Sequence, residues 1–508
     1  MKRIHRRDFL KLVAGLPAAA ALSQLQTPGG PLRAAAAGGR PNVIIIVLDT
    51  MSGKNLSLFG YPRPTTPNFE RFAERANVYH SHYAGGNFTV PGTASILTGM
   101  YPWTHRAINH SGFVRRDLVE RNIFRTVGDA YQRLAFSQNL WAIHLLSQFG
   151  RDIDMVLPPT SFSFTGQVLA ENLPGDLAAA YLSLDEFLFW QSDPPPSLIF
   201  GVPERALLSY KAVHAEDGNI DYPAGVPSTT LLPFYFRLEQ LYDGIYSTLH
   251  ELAQPFLAYI HLWGVHLPYR PHQRFYKIDW GDWRPAEKPR HLLGGKNPYP
   301  DQLKKLRRYD EYIASTDYEF GRLIDRLERD GILESSYVFV TADHGESFER
   351  GIQGHTTPLL FEPLVRIPLM VSTPGQKVRV DVRTPTSSAD LLPTLARVVG
   401  AESPVWSEGQ PLPGVLAAAE SGRSVFVVES KSTPALGPME KSSVALLNGQ
   451  YKLVYYAGAD YRFFEFYDLA EDPEELYDLY PRAPAAAVRL QEELLQRLDE
   501  ADRPFRRG

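Results

Sequence analysis

The chain has 508 residues, 44% hydrophobic and 12% aromatic, with a formal charge of −5 and no cysteine. That length can bury a large core and holds one big domain with a smaller companion. The acidic balance gives nucleic acid no electrostatic footing as a partner, and the missing cysteines exclude disulfide staples and thiol chemistry.

Residues 1–37 read as a leader rather than as fold. Arg6-Arg7-Asp8-Phe9-Leu10-Lys11 precedes an apolar stretch from Leu12 to about Leu25, and small residues Ala34–Ala37 close the segment. This is the layout of a twin-arginine export signal, with an apolar stretch too short to span a bilayer comfortably. An uncleaved basic amphipathic anchor is the other reading. On the first reading the mature chain has no transmembrane segment and is periplasmic or otherwise exported.

After the leader, strand and helix signals alternate. Val43–Leu48 is a continuous apolar run ending in Asp49, as suits a central parallel strand buried on both faces. Thr66-Pro67 opens a helix predicted to reach about Ala76. Pro91 fits the first turn of a helix to about Leu97, which puts Thr89 at its mouth. Residues 137–250 are hard to read; apolar Leu182–Trp190 and the break Pro194–Pro196 are taken as an insertion over the sheet edge. Phe256–Leu262 is a strand leading into HLWGVH. Leu306, Tyr309, Ile313, Thr316, Phe320, Leu323 and Leu327 mark an amphipathic helix closed by Gly331. Tyr337–Ala342 is a buried strand ending in Asp343-His344, and Ile367–Val371 and Val425–Val428 are further strands.

This alternation predicts an α/β fold, a doubly wound, mostly parallel sheet flanked by helices, with its site at the carboxyl ends of the strands. Residues 38–415 would form that domain. Residues 416–508 change character: a hairpin around Asn448-Gly449, a strand Phe463–Tyr467, a short helix capped by Asp472-Pro473-Glu474-Glu475, and a last helix over Ala485–Asp499. They predict a small antiparallel β subdomain with a helix.

Asp49, Thr89 and the pair Asp343-His344 fall at strand or helix ends. An Asp at a strand end is by itself commonly a cap or turn residue. Together, two carboxylates, a hydroxyl and an imidazole make a mixed oxygen and nitrogen site for a divalent metal ion, and Ca, Mn, Mg and Zn all suit it.

Several stretches carry a family resemblance: PNVIIIVLDT, NFTVPGTASILTGMYP, HLWGVHLPY, TADHGE followed by Gly354-His355, SSADLLPTLARVVG and YDLAEDPEELYDL. In that order the chain resembles a sulfatase-like member of the alkaline phosphatase superfamily. The resemblance implies one divalent metal on Asp49, Thr89, Asp343 and His344, since the Asp-x-x-x-His pair of two-metal members is not seen. It implies His266 and His355 as acid or substrate clamp near the leaving group and Asn87 as a donor to a substrate oxygen. His105 is a candidate substrate contact, although His105 and His110 read equally as structural histidines. Asp317 matches a family helix position but borders a packing stripe. Trp263, Tyr269, Trp280 and Trp283 could wall a substrate ring or simply pack. The family's Lys-Trp-His segment is not recognisable, and His144 is a weak substitute.

The family pattern Cys (or Ser)-x-Pro-x-Arg, whose first residue becomes formylglycine, reads Thr89-Val90-Pro91-Gly92-Thr93 here. The expectation is therefore a hydrolase or transferase of phosphate esters acting through a metal-bound threonine and a covalent phosphothreonine. A sulfuric ester hydrolase working without formylglycine and a catalytically inactive binding protein are the alternatives. The substrate would be a small-molecule, lipid or glycan ester; the oligomeric state stays open.

Overall fold

The computed structural model describes residues 39–163, 221–230, 234–415 and 422–506. The leader, Leu182–Trp190 and Pro194–Pro196 lie outside the described residues.

The strands in chain order are β1 Asn42–Leu48, β2 Asn77–Tyr79, β3 His82–Tyr83, β4 Gln132–Ser137, β5 Met155–Leu157, β6 Phe256–Leu262, β7 Ser336–Thr341, β8 Leu369–Ser372, β9 Val380–Val382, β10 Thr386–Ser387, β11 Ser424–Glu429, β12 Ser442–Asn448, β13 Tyr451–Ala457 and β14 Arg462–Asp468. The main sheet has eight strands in the order β5-β4-β6-β1-β7-β8-β2-β9. Its first five strands run parallel, while β8 is antiparallel to both β7 and β2. The apolar run Ile367–Val371 thus contributes β8, shifted towards Ser372 and reversed in direction. A run buried on both faces carries no signal of direction, because either orientation buries the same side chains.

Along β1 the side chains alternate between two cores. Ile44, Ile46 and Leu48 face one cluster, and Val43, Ile45 and Val47 face the other. The first is covered by α1 Pro67–Ala73, α4 Leu238–Glu251 and the long α5 Tyr299–Arg329; the second by α2 Thr89–Thr98, α3 Leu140–Gln148 and α6 Leu391–Val398. The stripe from Leu306 to Leu327 lies inside α5, and Gly331, at φ 71°, follows that helix. Parts of the stretch read as an insertion belong to the main architecture: α3, edge strand β5 and α4 fall within it.

Strands β11 to β14 form a separate antiparallel sheet. The run Val425–Val428 belongs here, as β11. Asn448 pairs with Tyr451, so Gly449-Gln450 is the two-residue hairpin loop. One face packs on Leu490 and Leu494 of α7 Ala485–Asp502, and the other on Leu359–Val365. The stretch after Asp472 is a turn, not a helix: the Asp472 carboxylate accepts from the backbone N–H groups of Leu476 and Tyr477. Buried Lys452 ties the sheet to the main body through Glu362 at 3.0 Å, and it also meets Glu475 of its own region at 2.7 Å.

Candidate active site and metal centre

Four adjacent parallel strands deliver the site. Asp49 follows β1, Asp343 follows β7, Asn139 follows β4, and His261 is the penultimate residue of β6, in register with Val47 and Ser137. Helix α2 brings Thr89 to the same edge as its first residue. Gly92 permits this approach, since a Cβ there would lie 2.1 Å from the Asp343 carbonyl oxygen. Thr50, at φ 60°, turns the chain after Asp49 and donates its N–H to Asp343 Oδ1 at 3.3 Å. The His344 N–H adds a second donor to the same oxygen at 2.9 Å.

Proton positions around Thr89 follow from its partners. Asn139 Oδ1 accepts from the Trp141 N–H at 2.8 Å, capping α3. Its amide N–H groups therefore point at Asp49 Oδ2 and, at 3.2 Å, at Thr89 Oγ1. His344 Nδ1 is 2.9 Å from the Gly345 carbonyl, which can only accept, so Nδ1 carries the hydrogen and Nε2 is bare. Burial, then His355, holds His344 well below the usual imidazole range. Thr89 Oγ1 accepts from Asn139 and aims its own proton at His344 Nε2, 3.4 Å away.

The remaining polar atoms lack such partners. Asp49 Oδ1, Asp343 Oδ2 and His261 Nε2 are buried with no hydrogen bond among the described residues. They converge: His344 Nε2 is 3.5 Å from Asp49 Oδ1 and 3.6 Å from Asp343 Oδ2, and His261 Nε2 is 3.6 Å from Asp343 Oδ2. Burial, then the charge of Asp343, raises the Asp49 carboxyl, and burial raises Asp343. Burial pushes His261 down to about 3, so its imidazole is neutral. Buried acceptors facing one another without a donor are costly. Two carboxylates and neutral imidazoles are the donor set of a divalent cation, and the Asp49, His261, Asp343 group fits one.

His266 and His355 stand beside this centre. The His355 ring is 4.4 Å from that of His344 and 5.3 Å from that of His266. His355 Nδ1 meets Glu346 Oε1 at 3.1 Å, and the Tyr269 hydroxyl donates to the other oxygen of Glu346. His266 Nδ1 donates to the Leu267 carbonyl at 2.8 Å, and burial, then His355, pushes its imidazole down to about 3.

Two expected substrate contacts are spent elsewhere. Asn87 donates both amide hydrogens, to the Thr357 and Leu359 carbonyls, and accepts from Lys431 Nζ at 2.9 Å. It fixes a loop and a lysine and has no N–H left for a substrate oxygen. His105 is buried, meets Ser95 Oγ at 3.2 Å and accepts the Ala107 N–H, so it ties α2 to the chain that follows. Asp317 accepts three N–H bonds from Asn68 and Phe69 at the start of α1. His144 lies against Phe113, and Trp280 and Trp283 flank Arg63 rather than the histidines. Trp263 packs on His266.

Three residues at the site went unread in the sequence. Asn139 looks like any helix cap. His261 was visible as the one imidazole in the apolar strand FLAYIHL. Lys431, after β11, had no local signal; its amine lies over the Phe88 ring at 4.3 Å, next to Thr89 in the chain.

A mostly parallel sheet flanked by helices, with a group that could hold a metal at its carboxyl edge and a hydroxyl at a helix mouth, fits the hydrolases of the alkaline phosphatase superfamily. The sulfatase family model matches residues 41–152 and 212–401, and the C-terminal model of N-sulphoglucosamine sulphohydrolase matches residues 355–503. The chain belongs to the sulfatase family. It is 23% identical to choline-sulfatase of Rhizobium meliloti over 88% of this chain and 84% of that protein. It is 29% identical to the uncharacterized sulfatase YidJ of Escherichia coli over 92% and 89%. The phosphonate monoester hydrolase structure of Agrobacterium radiobacter shares the fold at TM-score 0.64 and 19% identity, covering 91% of this chain and 96% of that one.

Proposed function

We propose that the protein is an exported, metal-dependent hydrolase or transferase of phosphate esters that uses Thr89 as its nucleophile. The observation that carries this reading is the Thr89 hydroxyl, held by the Asn139 amide at the edge of the carboxylate pair. Oxidation of a threonine would yield a ketone, whose hydrate is far less favoured than that of an aldehyde, so formylglycine chemistry has no natural counterpart here. Two similar folds are, by name, phosphonate monoester hydrolases, which supports a phosphorus centre on this scaffold. Export rests on the Arg6-Arg7 leader.

A divalent cation held by Asp49, Asp343 and His344 would supply the positive charge that lets Thr89 give up its proton to solvent water before the ester is attacked and that draws density from the non-bridging oxygens. Thr89 Oγ1 attacks phosphorus in line as the bond to the departing oxygen breaks, giving a phosphothreonine ester. The N-terminus of α2 and the Asn139 amide favour the negative oxygen. His355, oriented by Glu346, gives its proton to the departing oxygen. Water or an acceptor alcohol then displaces Thr89, and His355 recovers the proton. His266, kept neutral with Nε2 bare, accepts from a substrate hydroxyl.

The test is a rate comparison of metal-loaded protein and Thr89→Ala on matched aryl phosphate monoester, phosphate diester and sulfate. Thr89-dependent turnover of a phosphoester with sulfate inert is the expected result. Thr89-dependent sulfate release would overturn the phosphoester reading in favour of a sulfuric ester hydrolase, and inert protein would favour a binding role.

A further inference from the structure

The unpartnered imidazole of His261 bears on which ion the centre takes. We propose that His261 is a metal ligand alongside Asp49, Asp343 and His344, and that its second imidazole makes the centre selective for a d-block divalent cation of the manganese-to-zinc series over calcium and magnesium. This rests on reading the cluster as a metal centre, but not on which ester is cleaved.

His261 has no competing use among the described residues. Its Nε2 is 3.6 Å from Asp343 Oδ2 and 3.9 Å from Asp49 Oδ2, beyond hydrogen-bond range of either carboxylate. Yet it is buried and unpartnered, and it lies beside Asp343 Oδ2, itself an unpartnered oxygen of the carboxylate pair. A neutral histidine serving only to fill the core would turn this nitrogen to a donor or acceptor.

The ring is also held in place. Its Nδ1 lies 3.2 Å from the Tyr259 hydroxyl. The Tyr259 hydroxyl can accept the Nδ1 hydrogen, and in that tautomer the Nε2 lone pair faces the carboxylates, the arrangement that orients a ligating imidazole from behind. The backbone cannot swing away, because β6 is paired with β1 on one side and β4 on the other at this residue.

The consequence is a choice of ion. An Asp49, Asp343 and Thr89 set offers only oxygen and would suit hard calcium or magnesium. One imidazole shifts the balance a little. Two imidazoles beside a carboxylate pair favour ions that bind nitrogen well, and calcium and magnesium do not.

The experiment uses the full chain stripped with chelator and titrated calorimetrically with zinc, manganese, calcium and magnesium chlorides, without any ester present. Zinc and manganese should bind at least about 100-fold more tightly than calcium and magnesium. His261→Leu, which keeps the strand apolar, should weaken zinc binding by about 100-fold or more, since loss of mere outer partners already costs 10–100-fold. Calcium binding should change only a few-fold. Cobalt(II) added as a visible probe should give an absorption band that shifts and weakens in His261→Leu. His261→Gln, of similar length and polar, should behave likewise, and both stripped variants should melt within a few degrees of the stripped parent. Calcium binding as tight as zinc, or full zinc affinity with an unchanged cobalt band in either variant, would overturn the proposal. A protein that binds zinc through His261 yet cleaves no phosphoester would refute the phosphoester reading and leave this one standing.

Discussion

Replacing Asn139 by Ser and by Ala tests how the nucleophile is held. The side chain caps α3 through its oxygen and donates to Asp49 and Thr89 through its nitrogen. Serine caps a helix about as well as asparagine but offers no pair of amide donors, whereas alanine does neither. Both variants lose the donor aimed at Thr89 Oγ1. Losing one preorganised donor to a reacting oxygen costs about 10²–10³ in kcat, so both should turn over at least about 100-fold more slowly. Both also lose a hydrogen bond to a buried carboxylate, worth about 1.5–3 kcal/mol. Only Asn139→Ala loses the cap, a further 1 kcal/mol or so. Steady-state kinetics on the aryl phosphoester and urea unfolding of the metal-loaded proteins read the two effects separately. Asn139→Ser with kcat within threefold of the parent would show that Thr89 is not oriented this way.

His105→Ala should cost about 1–3 kcal/mol by leaving buried partners unsatisfied, with turnover per folded molecule unchanged; a selective loss of kcat would restore His105 to the site. His82, pushed down to about 3 by burial and then Arg423, stays neutral in the fold while the unfolded chain takes up a proton below about 6.5. Its contribution is therefore lost as pH falls from about 6.5 towards 3, about 2 kcal/mol of it by pH 5. His82→Gln should flatten the acid limb of a stability–pH curve by that amount, and an unchanged limb would contradict it. Because burial raises both Asp49 and Asp343, a cation must displace protons to bind, so metal affinity should rise with pH and binding should release protons. Calorimetric enthalpies that do not vary with buffer ionisation would refute that. Lys431→Met takes the ammonium partner from buried Glu429 and from the Asn87 amide oxygen, so it should cost about 1.5–3 kcal/mol in urea unfolding; unchanged stability would refute that.

The strands and the long helix were legible because their apolar periods are strong: β1, β6 and β7 sit within a residue of the runs that announced them, and the Leu306–Leu327 stripe lies inside the longer α5. Asp49, Thr89, Asp343 and His344 were legible as a group because each ends an element whose end must lie on one sheet edge. What escaped is tertiary. Asn139 sits in a stretch read as insertion, and only the pairing of β4 with β6 carries it to Asp49. Lys431 reaches Asn87 across a gap of 344 residues. Asn87 and His105 carry plausible chemistry, and nothing local reveals that their hydrogen bonds are already committed. The turn after Asp472 shows the converse, an acidic helix-start signal satisfied by two backbone donors without a helix.

Thr50 and Asp343, joined by a hydrogen bond beside the centre, are 293 residues apart in the chain. At about 5–20 residues per second of synthesis, the first half of the pocket waits roughly 15–60 s for the second. During that interval Asp49 has neither Asp343 nor His344 beside it, so a nascent chain offers a passing cation a lone carboxylate. A cation that needs both carboxylates would therefore be held only once β7 has joined β1, and the finished pocket rather than the growing chain would choose it.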